Sequence, residues 1–191
     1  MKKNIFFNEG GQASAPFELM VAVIIMSFVM VVGYMVLDTV NTQVCLNSVD
    51  REMTEFKLAL EDSVARMSST PLVFRPEGTC FSSKKSTLKI YNEETRSVCS
   101  SVCGFAANSC FIMVFSSKMP GISTKRKCLN LPAFTSFQEE PTCTDMVLQG
   151  QGFSTIDPTI EGEFLPGSYV IRNISSVGDH FPRICVWYKA V

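Results

Sequence analysis

The chain has 191 residues, a formal net charge of −1 and 18% charged residues. That length accommodates one domain with an appendage, and so balanced a charge excludes nucleic-acid binding through bulk positive potential. The apolar residues are unevenly spread, with one dense block near the N-terminus and an ordinary globular composition after it.

The N-terminus carries Lys2 and Lys3, then a polar patch, "NEGGQASA". From Leu19 to Leu37 no residue is charged. As a helix this run is about 28 Å long at 1.5 Å per residue, close to the ~30 Å hydrocarbon core of a bilayer. It is too long for a secretory signal core, and Asp38, Thr39 and Val40 behind it make no small-residue cleavage site. A single-pass segment with its N-terminus on the cytoplasmic side is expected, following Lys2 and Lys3. Glu18 stands at the lip of this run. Pro16 suits the first turn of a helix, and the helix start favours a carboxylate close behind it. A charge at the edge of a greasy helix still needs solvent or a cation.

The helical pattern continues past Leu37. Val40, Val44, Val49, Met53, Phe56, Leu60, Val64 and Met67 recur at helical spacing, with Asp50, Arg51, Glu55, Lys57 and Glu61 at other positions. "SSTP" ends the helix, because the residue before Pro71 avoids helical dihedrals. One helix from about Pro16 to Met67 is predicted, greasy all round in its first half and amphipathic in its second. The five-residue step from Val44 to Val49 breaks a coiled-coil heptad, so this second half is expected to pack on the chain's own sheet.

Beyond Pro71, short runs of strand formers alternate with turn residues. Predicted strands are "LVFR" (72–75), "TLKIY" (87–91), "RSVCSSV" (96–102), "CFIMVFS" (110–116), "SYVIRNI" (168–174) and "RICVWYK" (183–189), with "YNEETR" as a hairpin turn. "CFIMVF" is apolar on consecutive residues and reads as a central strand covered on both faces, and the last two strands are expected to close the same sheet. Residues 117–167 read as loop-rich, with Pro120, Pro132, Pro141, Pro158 and Pro166. The basic run Lys125 to Lys127 reads as a solvated loop, and "NIS" from Asn173 is a weak glycosylation match.

Eight cysteines, Cys45, Cys80, Cys99, Cys103, Cys110, Cys128, Cys143 and Cys185, all follow the apolar run. An even number beyond a membrane segment points to disulfides in an oxidising compartment. Cys128–Cys143 is the first expectation and Cys103–Cys110 the second, with Cys185 joined to something distant; Cys45 ties to the domain or lies beside a neighbour. A zinc site from Cys99, Cys103 and Cys110 lacks a CxxC pair, and a Cys–His180 nucleophile would need a free thiol. No Walker loop, GxSxG or HExxH occurs. Neither enzyme activity, metal, cofactor nor nucleic-acid partner is expected.

The basic leader, the small residues and "FELMVAVIIM" together resemble the N-terminus of type IV pilins and pseudopilins, over roughly the first 50 residues. Two leader cuts fit. One after Gly11 makes Gln12 the first residue, with Ser14 third, and resembles the archaeal branch of the family. One after Ala13 makes Ser14 first and Glu18 fifth, the bacterial spacing. The first is preferred. The resemblance implies a leader (1–11), a helix (12–67) with its transmembrane part at 19–37, and an extracytoplasmic, disulfide-bonded β-rich domain (71–191). The implied fold is α+β, with the long helix packed on an antiparallel sheet. It further implies cleavage by a prepilin peptidase, Glu18 paired with the N-terminal amine of a neighbouring subunit, and passage through membrane assembly machinery into a filament for adhesion or secretion. Location would be the cytoplasmic membrane, then the cell surface. The alternatives are a secretion pseudopilin, or a membrane-anchored extracytoplasmic binding or accessory protein that never polymerises.

Overall fold

A computed structural model describes residues 15–66, 68–76, 86–119, 121–132, 134–159, 164–176 and 178–190. The architecture is α+β. Among the described residues, one 52-residue helix, α1 (Ala15–Arg66), precedes eight strands and two short helices. The end of α1 agrees with the proline stop; Met67 lies outside the described residues. The chain divides into two units inside this helix, between Asn41 and Thr42. The amphipathic half therefore belongs with the β-rich part rather than standing apart from it.

In the first unit, every residue from Pro16 to Asn41 is exposed. The two aliphatic hydroxyls within this stretch turn inward on their own backbone. Ser27 Oγ donates to the Val23 carbonyl at 2.8 Å and Thr39 Oγ1 to the Met35 carbonyl at 2.9 Å. Such i−4 bonds satisfy both of these protons without water, which suits a lipid or dry protein environment.

In the second unit, α1 buries Cys45, Leu46, Val49, Met53, Phe56, Ala59 and Leu60. Val40 and Val44, expected on this face, are exposed instead, because the buried stripe enters one position later, at Cys45 and Leu46. Two sheets supply the rest of the core. The first has the order β1 (Ser69–Phe74), β7 (Gly167–Asn173), β8 (Arg183–Ala190), β5 (Ser136–Gln138), with β6 (Ser154–Ile156) also on β8. The second has the order β2 (Ser86–Glu93), β3 (Cys110–Ser117), β4 (Lys125–Leu129). The single closed sheet expected from the sequence is thus two sheets, and one pairing, β5 with β8, is parallel. Phe56 is fully buried, and its ring lies edge-on to Phe164 at 4.5 Å, Tyr169 at 5.4 Å and Phe74 at 6.5 Å. Burial raises the Tyr169 phenol pKa, and its hydroxyl donates to the Leu165 carbonyl at 2.6 Å.

Each sheet also has an outer face with its own cover. The segment 96–102, expected as a strand, is helix α2 (Arg96–Cys103). It lies between β2 and β3, so "YNEETR" makes no hairpin turn between neighbouring strands. Its Val98, Cys99, Val102 and Cys103 pack with Cys110, Ile112 and Val114 of β3. On the first sheet, helix α3 (Met146–Gly150) brings Leu148 against Val170, Cys185 and Trp187. The described part of the loop-rich segment 117–167 holds the short elements β4, β5, α3 and β6.

The sheet rims differ in chemistry. β1 carries Pro71, which has no N–H to donate. β5 and β6 are three residues each and share the free side of β8. The open side of β2 receives backbone bonds from a loop: Phe164 N–H to the Leu88 carbonyl at 3.1 Å, and Ile90 N–H to the Pro158 carbonyl at 3.4 Å. β4 is the basic run, a strand and not the expected loop.

Candidate assembly site

Glu18 lies in the first turn of α1 and is exposed. The ion pairs among the described residues all lie at or beyond Asp50. The helix start supplies Glu18 with a favourable dipole but no described cation. The cleavage candidates Gly11, Gln12, Ala13 and Ser14 lie outside the described residues, as does Cys80. From Glu18 onward the helix presents Leu19, Ile24, Ile25, Phe28 and Val29 to the outside, each more than half exposed. An apolar surface this large marks contact with membrane or with other protein.

Salt bridges and buried acceptors fasten the second half of α1 to the sheets. Lys127 Nζ of β4 meets Asp50 Oδ2 at 3.0 Å, and Glu61 Oε1 accepts the Asn130 N–H at 2.6 Å. The basic run is therefore partly spent on the chain's own helix. Glu52, which the sequence reading passed over, is buried. Its Oε2 accepts the Arg75 N–H at 3.1 Å, and its Oε1 lies 3.4 Å from the Arg51 guanidinium. The signal for it was present: Glu52 adjoins Met53 and falls on the apolar stripe.

The cysteines are joined as Cys99–Cys110, Cys103–Cys128 and Cys143–Cys185. The expected pairs Cys128–Cys143 and Cys103–Cys110 are not formed. Cys128 sits on the outer face of β4, under α2, and Cys143 lies over the other sheet. Cys185 does join a distant partner, 42 residues away. Cys45 is also disulfide-bonded. With Cys99, Cys103 and Cys110 all oxidised, the three-thiolate zinc arrangement is not available. The same holds for a cysteine nucleophile at any described position.

Asp145 caps α3, its Oδ1 accepting the Val147 and Leu148 N–H groups at 3.0 and 3.1 Å, while Oδ2 meets Arg172 at 2.9 Å. The Leu148 N–H first, and Arg172 after it, hold this carboxyl below its ordinary 3.8. The Arg172 guanidinium in turn lies 5.4 Å from the centre of the Trp187 ring. Glu93 is also held low, chiefly by the hydroxyl and N–H of Thr95. Asn173 is only 7% exposed and its Oδ1 accepts the Ser175 N–H at 2.9 Å, which argues against a glycan there. His180 lies beside Phe181, ring centres 6.4 Å apart.

Comparison with family models, with curated proteins and with solved structures finds no match. The described geometry consists of an exposed apolar helix that opens on a carboxylate and continues into a disulfide-braced β-rich head.

Proposed function

We propose that this chain is a structural subunit of a type IV pilus-like filament, major or minor. The observation that carries the reading is the division of α1. Its first half exposes an unbroken apolar surface with Glu18 at its start, and its second half is the spine of a β-rich core. Lipid covers such a surface in a single subunit, and like helices of other copies cover it in a filament. By resemblance, cleavage after Gly11, or after Ala13, frees an amine that pairs with Glu18 of a neighbour. Breaking one side of a buried ion pair costs about 3–5 kcal/mol, enough to set the register at which a subunit docks. The partners are then other pilin subunits, a prepilin peptidase and a membrane assembly machine. The subunit passes from the cytoplasmic membrane to the cell surface, for adhesion or for secretion.

Two measurements test this. The mass of the N-terminal peptide from native cells should begin at Gln12 or Ser14; a chain beginning at Met1 supports an anchored domain that never polymerises. Glu18→Val should abolish filaments while leaving the protein in the membrane. Normal filaments from that variant overturn the role of Glu18.

A further inference from the structure

The outer face of the second sheet is only partly covered. The disulfides Cys99–Cys110 and Cys103–Cys128 pin helix α2 over one end of it. The register sets the rows beneath. Glu93 is level with Cys110, Tyr91 with Ile112 and Cys128, and Lys89 with Val114 and Arg126. Side chains alternate along a strand, so Arg126 and Cys128 share the α2 side of β4, while Lys127 turns to Asp50 of α1. Beside the helix opens a cavity of about 370 Å³, lined by Tyr91, Glu93, Val98, Ile112, Val114 and Arg126. That volume falls within the ~300–1,000 Å³ of small-ligand sites.

The lining offers three chemistries. Arg126 is exposed and takes part in no ion pair among the described residues. Glu93 accepts the Thr95 N–H at 3.0 Å on one carboxylate oxygen, and Thr95 holds the group in its ionised form. Arg126 is near enough to favour that charge as well, yet the two stay apart. Their rows are four positions distant along β3, about 13 Å at 3.3 Å per residue. A cation thus stands at one end of the cavity and a carboxylate at the other. Between them lie an aliphatic floor, Val98, Ile112 and Val114, and the Tyr91 ring, 47% exposed.

We propose that this cavity binds an acidic sugar, a pyranose ring that carries a carboxylate. The planar guanidinium of Arg126 matches a carboxylate through two parallel N–H bonds. Glu93, being ionised, only accepts hydrogen bonds, and the ring hydroxyls supply the donors it faces. The C–H face of the pyranose rests on the Tyr91 ring and the aliphatic floor. A neutral sugar leaves Arg126 without an anion, and a plain hydrocarbon acid leaves Glu93 without a donor. The site lies wholly within one chain, so it does not depend on the filament reading above.

Saturation-transfer NMR on the full chain in detergent micelles tests this. The probes are methyl β-D-glucuronide and methyl β-D-glucoside, which differ only at the carboxylate. The glucuronide should bind, and the glucoside at least about tenfold more weakly, the scale of a hydrogen bond between charged groups. Arg126→Ala should weaken the glucuronide by a similar factor, and Arg126→Lys, which keeps the charge without the fork, should recover only part of the loss. Tyr91→Ala, at the other wall, should also weaken it and serves if the Arg126 variants fail to fold. Equal binding of the two sugars, or glucuronide binding unchanged in Arg126→Ala, overturns the proposal. So does a preference for free leucine over the glucuronide, which would assign the cavity to an amino-acid zwitterion. Absence of any transfer to the glucuronide at millimolar concentration overturns the site outright. Each of these results leaves the filament reading standing.

Discussion

The carboxylate of Glu52, buried on α1, accepts the backbone N–H of Arg75, the first residue past β1. This bond ties the helix to the strand that follows it, across a separation of 23 residues. A hydrogen bond to a charged acceptor contributes about 1.5–3 kcal/mol. Glu52→Ala should therefore lower the urea midpoint by that equivalent. Glu52→Gln keeps a carbonyl oxygen and should lose less. Equal losses from both variants would show that charge, not the Arg75 bond, is what matters.

The disulfides should rank by the chain they enclose. Cys143–Cys185 spans 42 residues and Cys99–Cys110 spans 11. In the chain-entropy account these correspond to about 4 and about 3 kcal/mol. Paired alanine replacements, compared by denaturant unfolding, should reproduce that order. The reverse order would place the stabilisation in packing beneath α2 instead of in the unfolded chain.

Asp145 gives a pH signature. Its carboxyl is held below its ordinary value by the Leu148 N–H and by Arg172. A lowered carboxyl contributes stability above its unfolded pKa, and that contribution disappears as pH falls through the folded value. Asp145→Asn should therefore be less stable than the wild type at pH 7, and the gap should narrow below its ordinary 3.8. A gap of constant size from pH 7 to pH 3 would rule out the charged form as the source.

Gly167 opens β7 opposite Ala190. A methyl group built there meets the Tyr188 ring and the Lys189 backbone carbonyl. The ring can shift but the carbonyl belongs to a paired strand, so Gly167→Ala should cost about 1–3 kcal/mol, the usual range for overpacking. Thermal unfolding of this variant beside Gly150→Ala, where nothing lies within 4 Å, checks it. Similar melting for the two would mean that β8 yields more readily than its hydrogen bonds suggest.

Much of the frame was legible in the residues. The length and end of α1 follow from apolar spacing and from Pro71, and β3 follows from an unbroken apolar run whose two faces are both covered, by α1's core on one side and α2 on the other. Helix α2 was legible but misread. Val98, Cys99, Val102 and Cys103 fall on one helical face, with Thr95 before them and Gly104 at φ of 74° after them; the β-branched valines suggested a strand. β4 was not legible, since "KRKCL" has no alternation of its own. Its strand form is imposed from outside, by β3 on one side, the Asp50 pair at Lys127, and the Cys128 disulfide. Disulfide partners depended on which face each cysteine reached, which spacing does not encode. The exposed Phe134 and Phe181, whose rings lie 5.0 Å apart, gave no signal, because the two residues meet only through the β5–β8 pairing.

Pro71, the cations of β4, the shortness of β5 and β6 and the loop laid along β2 guard every sheet rim by a different means. Unguarded rims let chains zip together through their backbones, and ladders of that kind are close to permanent. Crowded copies of this head are instead obliged to meet through side chains, and an association of that sort can be undone by dilution.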